Sequence, residues 1–247
     1  MSHVRSGVLA VWGTAWLAGR ASYDDVLDKV TGEDEPHRVA GVPGHDGEVP
    51  LGWALAAWRD LGATMLRLVL PVPGDPRGLS GPGEFAAASM TAGEGVVGAG
   101  FGLVPAVTRH GSAVGSVTLS VLWRGYPVGE AYADPLTVSE AEHDLTAALR
   151  DAASTLAQLD VASWRPDVAN QIAQIRRADS LPPLPSGHDA RAVRLLAQAD
   201  RLAKVLELAN SDAPGGALNG YEAQARADAL RPLWTAVRRA RLAAYNA

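Results

Sequence analysis

Apolar side chains recur at steps of four and three over residues 139–159, where Leu145, Leu149, Ala152, Leu156 and Leu159 fall in register. That spacing places them on one stripe of an α-helix and turns Arg150, Asp151 and Gln158 towards water. Ser139 with Glu142 three residues on predicts a capping box at the helix start. The chain changes character across this segment, with glycine, proline and strand-like runs before it and helical periodicity after it. We read the helix as the joint between two halves, its leucines packed against both.

Upstream, Val8, Trp12, Ala15 and Trp16 share a helical face and predict a buried helix over 7–18, although Gly13 and Thr14 also suit a strand. Ser22 and Asp25 predict a second capping box, opening a short helix to about residue 30. Residues 41–47 read as a loop, and Pro50 suits the first turn of a helix carrying Leu51, Leu55, Trp58 and Leu61. Apolar residues on both faces of 65–70 predict an interior strand. Residues 71–83 form a proline- and glycine-rich loop, longer than the usual connection and so expected to face a partner or serve a function. Residues 101–107 and 116–124 read as two strands joined by 108–115 in a hairpin. In the second, Val117, Leu119, Val121 and Trp123 alternate with Thr118, Ser120 and Arg124.

Downstream, a helix is expected from about 164 to 178, stopped by the LPPLP run at 181–185. Ser186 and Asp189 predict the cap of a helix to about 209, with Leu195, Ala199, Leu202 and Leu206 inside; residues 212–216 turn the chain into a last helix over 218–245. Long helices joined by short turns pack antiparallel. The expected fold class is therefore α+β: a small β-sheet with flanking helices in the N-terminal half, and an antiparallel helical bundle in the C-terminal half. The expected domains are an α+β domain over 1–137 and a helical region over 138–247 packed on it.

Composition narrows the chemistry. With 247 residues and 47% hydrophobic side chains, the chain can fill a core without a covalent staple. It has no cysteine, which excludes disulfides, thiolate metal sites and a cysteine nucleophile, and fits a reducing, cytoplasmic setting. The apolar run at 7–18 is broken by Gly13 and Thr14 and carries two tryptophans, unlike a signal peptide, and no other stretch has the length of a membrane span. Of the 22 basic residues only Lys29 and Lys204 are lysines, a bias of high-GC bacterial genomes. Residues 1–163 carry 10 basic and 19 acidic side chains and 164–247 carry 12 and 8, so the halves stand at −9 and +4. Such asymmetry suits either a polyanionic partner for the basic half or two halves that dock on each other.

Several motifs invite a chemical reading. Gly93, Gly95 and Gly98 satisfy G-x-G-x-x-G, but Gly100, Gly102 and Pro105 leave no room for a following helix, and no acidic residue stands about twenty positions on to hold a ribose. A bulged strand edge is the expectation there, and no cofactor is implied. Glu140 and His143 have the E-x-x-H spacing of di-metal helices, in a single copy that helix capping explains. His37, His45, Asp46 and Glu48 are scattered donors around one loop, and no metal is expected. Arg109-His110-Gly111 follows a strand-like run and resembles the R-H-G signature of the histidine phosphatases, and His188-Asp189 resembles the H-D pair of their acid-phosphatase branch. The resemblance implies His110 as phosphoryl-accepting nucleophile, Arg109 as clamp on phosphoryl oxygens and His188 as the third catalytic candidate. The motif lies mid-chain, a strand follows it, and no second arginine stands just downstream, all departures from that family.

The last helix presents Leu230, Leu233, Val237, Ala240 and Ala244 as a buried stripe, with Arg231, Trp234, Arg238, Arg241 and Tyr245 beside it; Arg191, Arg194, Arg201 and Lys204 add a cationic face on the preceding helix. Cations interleaved with aromatics suit contact with a protein partner or a polyanion such as nucleic acid. No catalytic constellation is complete, so the reading is a non-enzymatic cytoplasmic interaction or accessory protein that binds a protein partner or a second copy. A phosphoryl hydrolase and a nucleic-acid-associated protein are the alternatives.

Overall fold

The computed structural model describes residues 4–111, 117–129, 136–158, 184–211 and 220–247. These fall into two compact units, the first comprising 4–129, 184–187 and Asn246, the second 136–158, 188–211, 220–245 and Ala247. The architecture is α+β, with a sheet and its helices in the first unit and helices in the second.

In the first unit the helices are α1 (Arg5–Leu17), α2 (Tyr23–Thr31), α3 (Gly52–Asp60) and α4 (Glu84–Ala92). Its strands are β1 (Arg38–Ala40), β2 (Glu48–Pro50), β3 (Arg67–Val69), β4 (Gly95–Val97), β5 (Phe101–Gly111) and β6 (Val117–Pro127), in the order β2-β1-β6-β5-β4-β3. The β1–β6 pair is parallel and the rest are antiparallel. Helices cover both faces. Phe101, on one face of β5, stacks on Trp58 of α3 with ring centroids 4.8 Å apart, and the Trp58 indole N–H donates to the Phe101 carbonyl at 3.0 Å. On the other face Phe85 of α4 joins Val69, Leu79, Val97 and Val104 in a buried cluster. Helix α1 is apolar nearly all round and is buried accordingly, which settles the helix-or-strand ambiguity over 7–18. The Ser22–Asp25 capping box forms as expected.

Several expectations need correction. Pro50 ends β2 instead of opening a helix; Leu51 takes the N-cap position of α3, and Leu61 at its other end is exposed. The apolar strand over 65–70 is β3, which lies at the edge of the sheet rather than inside it. Its residues are buried because other groups close that edge. The Thr14 hydroxyl donates to the Leu66 carbonyl and accepts from its N–H at 3.1 and 2.9 Å, while the Asn246 amide pairs with the N–H and carbonyl of Leu68 at 2.8 and 3.0 Å. The strands β1, β2 and β4 span three residues each, too few for alternation to be visible in the sequence.

The second unit contains α5 (Val138–Gln158), α6 (Ala190–Ser211) and α7 (Gly220–Tyr245). The α5 cap lies two residues upstream of the expected one. Thr137 Oγ1 accepts from the Glu140 N–H, and the Glu140 carboxylate accepts from the Thr137 N–H and hydroxyl at 3.0 and 2.6 Å. Glu142 instead binds Arg191 at the start of α6 at 2.7 Å. Asp189 itself caps α6, accepting from the N–H groups of Arg191 and Ala192, so the Ser186–Asp189 box is not the one used. Leu195, Ala199 and Leu206 are buried along α6, as are Leu230, Leu233, Val237, Ala240 and Ala244 along α7. The ring of His188, just before α6, meets the Ala244 carbonyl near the end of α7 at 2.8 Å, so these two helices run antiparallel. Helix α5 packs mainly on α7. The expected helix over 164–178, the 181–183 part of the LPPLP run and the turn at 212–216 lie outside the described residues.

Candidate functional site

The β5–β6 hairpin outgrows its sheet. Strand β4 pairs with β5 only at Gly102 and Leu103, and β1 pairs with β6 only from Leu122 to Arg124, whereas β5 and β6 stay paired to Gly111 and Val117. The distal part is therefore a two-stranded ribbon, exposed from Val107 to Gly111 on one strand and at Val117 and Thr118 on the other. Side chains alternate between faces in a strand. One face carries Val107, Arg109, Val117 and Leu119, and the opposite face carries Thr108, His110, Thr118 and Ser120. The first is an apolar stripe with one cation. Val107 is 45% exposed and Val117 is 49% exposed, a large fraction for two valines on one short element.

This placement corrects the picture of Arg109 and His110 at a loop tip, because both belong to β5. As neighbours on a strand they point to opposite faces, and the His110 ring engages the Ser120 hydroxyl across the hairpin at 2.8 Å. They do not converge on one phosphoryl-sized point. His188 has its Nε2 on the Ala244 carbonyl.

The cationic stripe of α7 is partly consumed by the fold. Arg241 donates to Asp200 at 2.7 Å, Arg231 pairs with Asp228 one turn earlier, and Tyr245 is buried at 2% exposure. Trp234 and Arg238 are half-buried, and Arg194 and Arg201 are exposed. The G-x-G-x-x-G run lies in a helix-to-strand connection, the reverse of the order that cradles a pyrophosphate. Gly93 closes α4 at φ 75°, Gly95 opens β4, and a side chain at Gly98 would lie 2.5 Å from the Trp58 ring. Glu140 is held low in pKa by its Thr137 hydrogen bonds and His143 is exposed. Among the described residues no three His, Asp or Glu side chains converge as a metal ion would require.

Sequence reasoning placed His37 among scattered metal donors and missed its role. The ring is buried beside Trp123 of β6, whose indole N–H donates to Nδ1 at 3.2 Å, and this leaves Nε2 to carry the proton towards Asp34 at 3.4 Å. Asp34 in turn holds Arg5 at 2.9 Å. Burial pushes the His37 pKa down against the opposing pull of Asp34. His45, by contrast, lies on the surface with its ring against Trp53, centroids 4.5 Å apart, and Glu48 pairs with Arg38. The two histidines therefore serve different structural ends.

Among the described residues no helix is long and apolar enough to cross a membrane. Residues 6–138 match the N-terminal domain and residues 139–242 the C-terminal domain of the Rv1486c-like proteins. The chain is 31% identical to the uncharacterized protein Rv1486c of Mycobacterium tuberculosis (strain ATCC 25618 / H37Rv) over 277 aligned positions, covering 97% of this chain and 95% of that protein. It is 29% identical, with the same coverage of each, to the uncharacterized protein ML1804 of Mycobacterium leprae (strain TN). No solved structure shows a significant match. With both domains matched in order and nearly the whole length shared with these mycobacterial proteins, the chain belongs to the Rv1486c-like protein family.

Proposed function

We propose that this protein is a non-enzymatic interaction or accessory protein that engages a protein partner through the distal β5–β6 ribbon. The observation that carries the reading is the ribbon itself: paired strands that leave the sheet and hold an apolar stripe in solvent. A two-stranded hairpin is marginal by itself, and an exposed strand edge is a liability that folded proteins ordinarily cover. Retaining both suits an element completed by binding. The opposed directions of Arg109 and His110 speak against the phosphoryl hydrolase, and the Arg241–Asp200 pair and buried Tyr245 leave the nucleic-acid alternative without its full stripe. The cysteine-free composition fits a cytoplasmic setting, which cell fractionation would test.

The test compares the full chain with a Val107→Ser, Val117→Ser variant in pull-downs from its native host, with circular dichroism as the control for folding. The wild type is expected to retain a partner that the variant loses at unchanged fold. Hydrolysis of a generic phosphomonoester that disappears in His110→Ala would overturn the reading.

A further inference from the structure

The backbone of β5 has two sides, and among the described residues only one is occupied along its distal part. The Gly98 N–H donates to the Phe101 carbonyl and the Val128 N–H to the Gly100 carbonyl, so odd-numbered residues of β5 face away from β6 and even-numbered ones face it. Phe101 and Leu103 therefore meet β4, and beyond the end of β4 the outward groups belong to Pro105, Val107, Arg109 and Gly111. Pro105 has no N–H to leave unpaired, a usual device at an open edge. Val107 and Arg109 have N–H and carbonyl groups that nothing among the described residues bonds.

Two other stretches of edge in this sheet are closed. Thr14 and Asn246 seal β3, and the Glu35 N–H takes the outward carbonyl of Leu119 on β6 at 2.9 Å. The fold closes those stretches, and among the described residues nothing takes the outward groups of Val107 and Arg109.

Charge indicates what would pair there. Residues 95–129 contain Arg109, His110 and Arg124 but no Asp or Glu, although residues 1–163 carry 19 acidic side chains. The Arg109 guanidinium forms no ion pair among the described residues. Directly opposed residues of an antiparallel pair put their side chains on one face about 5 Å apart, where opposite charges attract and like charges repel. A second copy adding its own β5 brings no carboxylate to Arg109 in any register, and a pairing centred on Arg109 opposes two guanidiniums.

Resting on the interaction reading above, we infer that the open edge of β5 from Val107 to Gly111 takes an extended segment of a partner protein as an added strand, with an acidic side chain across from Arg109 and an apolar one across from Val107. Main-chain bonds would supply affinity and the two side-chain positions specificity, as in strand addition generally. The recognised pattern is an acidic and an apolar residue two positions apart.

The probes are the heptapeptide Thr-Val-Thr-Glu-Thr-Val-Thr and its counterpart with lysine for glutamate, titrated to millimolar concentration at low salt into the isotope-labelled full chain while backbone amide resonances are followed. The amides of Val107 and Arg109 should move, and the glutamate peptide should bind at least about tenfold tighter than the lysine peptide. Arg109→Glu should reverse that order, and Val107→Pro, which removes one outward N–H, should abolish binding at an otherwise unchanged spectrum. Equal binding of the two peptides, or concentration-dependent dimerisation abolished by Val107→Pro, would overturn the acidic-strand inference and leave the interaction reading standing. Amides of 107–111 that respond neither to peptide nor to the partner retained in the pull-down would sink both.

Discussion

His37 has its two ring nitrogens committed in opposite directions, and this makes its protonation state structural. With Nδ1 accepting from Trp123, a second proton on the ring would set N–H against N–H inside the unit. Burial already depresses the folded-state pKa, so below about pH 6.5 the unfolded chain binds the proton more readily than the folded one. The stability contributed by neutral His37 is therefore complete above about pH 6.5 and is lost as pH falls towards the folded value. Urea midpoints between about pH 7.5 and 5.5 should drop in the wild type. They should stay nearly level in His37→Gln, whose amide can accept from Trp123 and donate to Asp34. Parallel midpoints in the two proteins would remove this role. Nothing in the sequence around His37 marks it as buried, since its partners Asp34 and Trp123 stand 3 and 86 positions away and only the tertiary fold brings the more distant one to the ring.

Helix α5 shows how far a local pattern carries. The stripe located its start within a residue, and Leu145 and Ala152 are buried while Leu149 is only partly so, which puts the larger cost of truncation at Leu145. Leu145→Ala should lower stability by about 2–5 kcal/mol and Leu149→Ala by less. Thr137→Ala should cost about 1 kcal/mol through the lost cap, while Ser139→Ala, one position inside the helix, should cost little. Urea unfolding of the four variants measures all of these, and equal effects of the two cap substitutions would mean that the cap is misplaced. Thr137-x-x-Glu140 and Ser139-x-x-Glu142 are equivalent as text, and the choice between them is made where Arg191 of α6 claims Glu142. The same limit explains β5. Residues 101–107 were legible as a strand, yet Thr108, Arg109, His110 and Gly111 read as a turn, because a ribbon exposed on both faces has no buried side to impose a hydrophobic pattern. What made the arm hard to see is the property that suits it to a partner.

At the scale of the molecule, the first unit is not a continuous stretch of chain, since Asn246 belongs to it. Its side-chain amide takes the place of a seventh strand for one residue, donating to and accepting from Leu68, which is 1% exposed. Such a pair matters less for its own energy than for what its loss leaves behind, namely a buried N–H and a buried carbonyl without partners. Asn246→Ala should therefore destabilise by about 1–3 kcal/mol, and Asn246→Asp, which keeps the acceptor but loses the donor and adds a charge, should destabilise no less. Leu68 would also become an open edge beside buried Leu66 and Val69, so the alanine variant should self-associate at concentrations where the wild type does not. Denaturant unfolding with sedimentation of the same samples reads both effects. Wild-type midpoints in the alanine variant would show that the Leu68 edge does not depend on Asn246. If the stability loss and the association instead appear together, a β-edge held shut at Leu68 by one amide would stand against the β5 edge left open.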